Sequence, residues 1–170
     1  MNRSTTTELL SRLLEKYIDP NNDPRIYWAK EVTFDYASLN AVRVDYMRFK
    51  PVNNSVSGIE KGDVYCYAVK SSCADFHSKN GHNLIGDYNY YVMHEDVYES
   101  VKMTVPYTVV VMCPDSCDTR CDSNKLRVVK KAHRKDRQKP LTEMLLMMWR
   151  SSRREIIKVK KNAGLAQLEE

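Results

Sequence analysis

Two charged residues on neighbouring strand-like runs have the types and spacing to do chemistry together. Asp45 lies in Arg43-Val44-Asp45-Tyr46-Met47-Arg48-Phe49, and Lys70 closes Gly62-Asp63-Val64-Tyr65-Cys66-Tyr67-Ala68-Val69-Lys70. The second run is apolar, aromatic and β-branched, the composition of a buried strand. A lysine ending such a strand is costly to bury unless its ammonium points into polar surroundings. Side chains alternate across a sheet, so positions 68 and 70 share a face and Val69 takes the other. An acid and a lysine placed this way either close a hairpin as an ion pair or line a polar site. If such a site acted on a phosphate, the cation would stabilise charge or orient the attacking water, and carboxylates and carbonyls nearby would gather a hard divalent ion. Glu31, inside the otherwise apolar segment from Ile26 to Phe34, is either turned to solvent or a further acid of the same site.

Other reactive residues carry weaker patterns. Cys113, Cys117 and Cys121 are each four apart, with His133 further on. Structural zinc sites favour tighter Cys-x2-Cys pairs and four ligands, so zinc is the minor reading. His77 and His82 follow the lysine strand and are read as solvated loop residues. Tyr88, Tyr90 and Tyr91 are read as sheet packing.

The elements that must position these residues follow from periodicity and turn chemistry. A Thr-x-x-Glu capping box at Thr5–Glu8 opens an amphipathic helix over about residues 6–17. A strand or a mixed segment is expected over Ile26–Phe34, and strands over Ala41–Phe49 and Gly62–Lys70, the last two forming an antiparallel hairpin across a polar loop of about a dozen residues. Asp45 then sits near the open end of that hairpin. A short helix over Ser72–Lys79 and a glycine-punctuated loop lead to a strand over Tyr88–Met93. The helix Glu95–Val101 carries the chain to a parallel strand over Tyr107–Met112. Lys125–Lys130 reads as an edge strand, and Pro140–Arg153 as a strong helix with Leu141, Met144, Leu145 and Met148 on one stripe. Together these predict an α/β fold with a mixed sheet of about five strands flanked by helices. Residues 1–155 form one domain and residues 156–170 a basic tail.

Charge is segregated. Residues 125–161 hold 14 of the 27 Lys and Arg and only three acids, Asp136, Glu143 and Glu155. That flank is basic and the remainder acidic, as expected either of a surface facing a polyanion or of a solvated basic helix and tail. Within it Lys130, Lys131, Arg134, Lys135, Arg137 and Lys139 would contact phosphates without reading sequence. No aromatic residue interrupts this run, so it offers nothing for bases to stack on. No stretch approaches the ~18 apolar residues of a membrane span, and the N-terminus has no apolar leader. A cytoplasmic protein with reduced thiols, without a membrane partner, is the expectation.

The stretches Trp28–Phe34, Arg43–Met47, Val69–Ser72, Gly81–Met93, Lys130–Arg137 and Thr142–Leu145 resemble a family of small phage and prophage proteins related to the PD-(D/E)XK nuclease superfamily. The resemblance covers residues 26–152 or so. It implies a restriction-endonuclease-like α+β fold and metal-dependent hydrolysis of DNA, double-stranded by expectation, in the cytoplasm of a bacterial host. Mg²⁺ or Mn²⁺ would be held by Asp45, the side chain at 68 and the main-chain oxygen of Val69. Lys70 would be the catalytic lysine, and Glu31 falls where many members place a further acid. Members often act as homodimers, one site per strand. The chain departs from the pattern at Ala68, where the family has Glu. Alanine there removes a metal ligand without disturbing the strand, through an introduced inactivating change or natural loss. The alternative is a non-catalytic binding protein on a nuclease scaffold, such as a phage inhibitor of host defence that grips nucleic acid, a nucleotide or a host protein.

Overall fold

In a computed structural model, the described residues are 3–36, 38, 41–78, 81–115, 125–162 and 164. Among them, six strands form one mixed sheet in the order of the chain. The elements are α1 (Arg3–Ile18), β1 (Tyr27–Phe34), β2 (Val42–Lys50), α2 (Val56–Glu60), β3 (Asp63–Val69) and α3 (Cys73–Phe76). They continue with β4 (Tyr88–Val92), α4 (Glu95–Val101), β5 (Val109–Pro114), β6 (Leu126–Lys130) and α5 (Leu141–Asn162). The β1–β2 and β2–β3 pairs are antiparallel, β3–β4 and β4–β5 parallel, and β5–β6 antiparallel. This is the expected α/β architecture, with one strand more than anticipated.

The hydrophobic pattern sorts into two faces. Leu10, Leu14 and Ile18 of α1 pack on Tyr46, Tyr67, Val92, Val110 and Met112. On the opposite face Met144 and Met148 of α5 cover Val32, Phe34, Val44, Phe49, Val64 and Cys66. Beside them Val97 and Val101 of α4 cover Tyr91, Met93, Val109 and Val111. The alternation along β3 puts Val64, Cys66 and Ala68 on the α4–α5 side and Tyr67 and Val69 on the α1 side, as period two requires.

Several boundaries differ from the sequence reading. Helix α5 runs on through Asn162, so residues 156–162, read as tail, are helical. Ala, Lys, Arg and Glu dominate helix propensity scales, and Arg153–Lys161 carries no breaker. Strand β5 begins at Val109 because Pro106 precedes it in a turn whose carbonyl accepts the Val109 amide at 3.1 Å. Helix α2 appears within the loop read as irregular, capped by Ser55, whose side chain accepts the Gly58 N–H. Among the described residues no helix is long and apolar enough to cross a membrane.

Candidate functional site

Strands β2 and β3 pair from Lys50–Asp63 as far as Tyr46–Tyr67 and then part. Asp45 is the next residue beyond the last pair. Its Oδ2 accepts the Val69 N–H at 2.9 Å, so a side chain takes over from the backbone ladder where the strands split. On the other side of β2 the ladder is interrupted at the same level: Lys30 pairs with Tyr46 and Val32 with Val44, but Glu31 does not pair with Asp45. Glu31 has φ 53°, in the left-handed region. One consequence is a change of face. Ala29 and Val32, three residues apart, both enter the core beneath α5, as do Met47 and Val44. Ser151, buried in α5, holds this irregular turn by donating to the Lys30 carbonyl at 2.5 Å, and Arg154 donates to the Glu31 carbonyl at 2.8 Å.

Lys70 follows the last residue of β3 and is 2% exposed. Its amide donates to Val92 O at 2.9 Å, which aligns it with β4. Its Nζ lies 3.5 Å from the Asp75 carbonyl. Gly81, at φ 74° in the left-handed region that favours glycine, passes so close that a Cβ there would lie 2.9 Å from that Nζ. The Asp75 carboxylate accepts from the Ser71 amide and hydroxyl at 3.0 and 3.2 Å, and the Ser72 hydroxyl accepts the Asp75 amide. The short helix α3 therefore exists to wrap the chain around Lys70.

Asp45, Val69, Lys70, Asp75, Arg43 and Glu31 open into one cleft of about 860 Å³. Its walls come from Thr7 and Ser11 of α1 and from Glu155 and Lys158 of α5. Burial pushes the Asp45 carboxyl up, offset in part by the Val69 N–H and by Arg43 and Lys70. Burial pushes the Lys70 ammonium down, offset in part by Asp75 and Asp45. Each group thus resists its charged form, and each is helped by the other.

The structure brings Asp45, Val69, Lys70 and Glu31 together. Ala68 precedes Val69 but is absent from the cleft lining; its methyl packs in the apolar cluster of Phe76 and Tyr91. Asp75, Arg43 and Lys158 are cleft residues that the sequence reading missed. Asp75 had a local signal, five residues after Lys70 behind a Ser-Ser cap; Arg43 and Lys158 had none. His82 joins the loop to the site's floor. Its Nε2 donates to the Phe76 carbonyl at 2.6 Å, leaving Nδ1 to accept the Tyr91 hydroxyl at 2.7 Å. That histidine is a structural clasp, not the solvated loop residue expected.

Most of the basic run is engaged within the molecule. Arg134 binds Asp63 at 2.9 Å and Asp87 at 2.8 Å, and Arg137 reaches Asp87 at 3.3 Å and the Gly62 carbonyl at 3.0 Å. Lys130 donates to the carbonyls of Pro106 and Val109, and Lys135 to that of Leu84. Lys139 pairs with Asp35 and Glu143. Lys131 is exposed. These contacts strap residues 130–139 across the ends of β3 and β4.

Among the described residues no three His, Cys, Asp or Glu side chains are grouped to hold a metal ion. Asp45 shares the cleft with Glu31, Asp75 and Glu155, but one of its oxygens already serves the Val69 amide and the Asp75 carboxylate serves the Ser71 amide and hydroxyl. That donor set is short of what a hard divalent ion requires, so the residues present do not fit one. Cys113 is buried in β5 as a free thiol, and burial raises its pKa to about 12. Cys117 and Cys121 lie outside the described residues, and His133 is exposed on the strap.

No protein-family model matches the chain, and no curated protein matches it. Among solved structures it is similar to the SPO1766 protein of unknown function from Silicibacter pomeroyi, at TM-score 0.61 and 13% identity, over 97% of each chain. A likeness at that identity speaks to the α/β fold alone.

Proposed function

We propose that this chain is a nucleic-acid-binding protein on a PD-(D/E)XK-type nuclease scaffold, a DNA endonuclease site that lacks its second acid. The observation that supports it is the split between β2 and β3, where Asp45, Val69 and the buried Lys70 meet in one cleft. A buried, polar-lined lysine beside a desolvated carboxylate is costly to the fold, and such pairs concentrate at functional sites. Phosphate contacts in this reading come from the cleft cations Arg43, Lys30 and Lys158, the last two also beside Glu15 and Glu155, and from exposed Lys131, the other strap cations being engaged across the sheet end.

The test is Ala68→Glu. The variant is expected to bind Mg²⁺ or Mn²⁺ by calorimetry and to nick plasmid DNA in their presence, with Lys70→Ala in the same background abolishing nicking. A folded Ala68→Glu protein that neither binds metal nor cuts would overturn the endonuclease reading. A second reading rests on the packing of Ala68 against Phe76 and Tyr91, where a carboxylate would be desolvated: a binding protein, such as an inhibitor of host defence, that never cuts. It predicts that the unaltered chain binds duplex DNA or a nucleotide while Ala68→Glu only loses stability. Binding of the unaltered chain to DNA should fall steeply with salt, by a decade or more between about 50 and 200 mM if several phosphates are neutralised.

A further inference from the structure

Helix α5 carries an apolar stripe that faces away from the cleft. Leu145, Trp149, Ser152, Ile156 and Val159 recur at alternating intervals of four and three, the spacing of a helix-pairing seam. Trp149 is 67% exposed, Ile156 55% and Val159 66%. The first half of the stripe borders a groove of about 530 Å³ between α5, the start of β1 and the loop before α2; its lining includes Tyr27, Phe49 and Ile59, with only Asn54 and Ser152 polar. The second half has no such groove: every residue from 156 to 162 is exposed.

We propose that this face is a two-fold interface with a second copy of the chain, in which two α5 helices run antiparallel and cross at Ser152. The stripe is close to a palindrome about that small residue, so Trp149 of one helix meets Ile156 of the other. Each exposed end, with Ile156 and Val159, then lies over the Leu145–Trp149 half of its partner and fills the groove. The same patch serves both copies, as a two-fold axis demands. Trp149, Ile156, Val159, Tyr27 and Ile59 together offer on the order of 500 Å² of apolar surface per copy, against ~800 Å² per partner in a standard interface. Pairing also holds the helix whose other side, through Glu155 and Lys158, walls the cleft.

Arg153 borders the stripe one residue from the crossing point, so two copies bring their Arg153 charges near each other. Self-association should therefore hold or tighten as salt is raised, whereas an acidic protein partner or an anionic membrane would be released. Sedimentation equilibrium of the full chain should show a dimer with a dissociation constant of about 10 µM or tighter. Ile156→Glu and Val159→Glu, at exposed positions that leave the core untouched, should give monomers with unchanged far-UV circular dichroism. Ser152→Cys should form a disulfide-linked dimer under mild oxidation, and Val159→Cys should not. A chain that stays monomeric at about 100 µM, or a dimer indifferent to Ile156→Glu, overturns the proposal. Stripe-dependent binding to phosphatidylcholine–phosphatidylglycerol vesicles by a monomer overturns it in favour of a membrane.

Discussion

The Asp45 carboxylate is held against its own preference. Its pKa is raised by burial, so the native state binds the proton more tightly than the unfolded chain does. Stability then falls as pH rises from the unfolded value near 3.9 through the native one, and the penalty persists at neutral pH. Asp45→Asn keeps an oxygen for the Val69 N–H and removes the charge. It should stabilise the protein at pH 7 on the order of 1 kcal/mol, the scale of a typical substitution, and the gain should vanish near pH 3, where both states are protonated. Urea denaturation at the two pH values measures this. Lys70 carries the mirror-image cost: its lowered pKa means stability is lost as pH falls from the unfolded value near 10.4 through the native one. Each of the two charges is thus held in the fold at a cost that the other only partly offsets.

At the scale of elements, the site is made by two strands that stop pairing. Glu31, at φ 53°, lets β1 change face where β2 must release Asp45. The left-handed conformation costs a side-chain-bearing residue about 1 kcal/mol, and glycine avoids that cost. Glu31→Gly should therefore raise stability by roughly 0.5–1 kcal/mol, and Glu31→Val should lower it by at least as much, both read from denaturation midpoints. Should Glu31 also serve the cleft, Glu31→Gly will weaken DNA binding while stabilising the fold. Helix α5 meets this irregular turn through Ser151. Ser151→Ala removes its hydrogen bond to the Lys30 carbonyl and should cost about 1–2 kcal/mol.

Across the whole molecule, the strap of residues 130–139 closes the far end of the sheet through Asp87. That carboxylate is 1% exposed and accepts from the Val64 amide at 2.9 Å as well as from Arg134 and Arg137. Replacing it takes the acceptor from the Val64 amide and the carboxylate partner from the Arg137 Nε, whose guanidinium keeps the Gly62 carbonyl. Asp87→Ala should cost about 3–5 kcal/mol by thermal or chemical denaturation. Arg134→Ala, with that side chain 45% exposed, should cost about 1 kcal/mol or less. Five of the six cations in residues 130–139, all but Lys131, are thus engaged with acids or carbonyls of the molecule itself.

Local patterns determined a good deal. The apolar run of β3, its alternation, the β2–β3 hairpin, the β4–α4–β5 crossover and the placing of Asp45 and Lys70 near one hairpin end follow from side-chain period and turn chemistry, which act over a few residues. Only the tertiary structure decided that Asp75, Arg43 and Lys158 join that cleft, that Ala68 turns into the Phe76–Tyr91 cluster, and that Arg134, Arg137 and Lys139 are spent on Asp87, Asp63 and Asp35. These are contacts between residues up to about a hundred positions apart, formed because burial forces each charge to find a partner, and no spacing in a linear chain records which partner that will be.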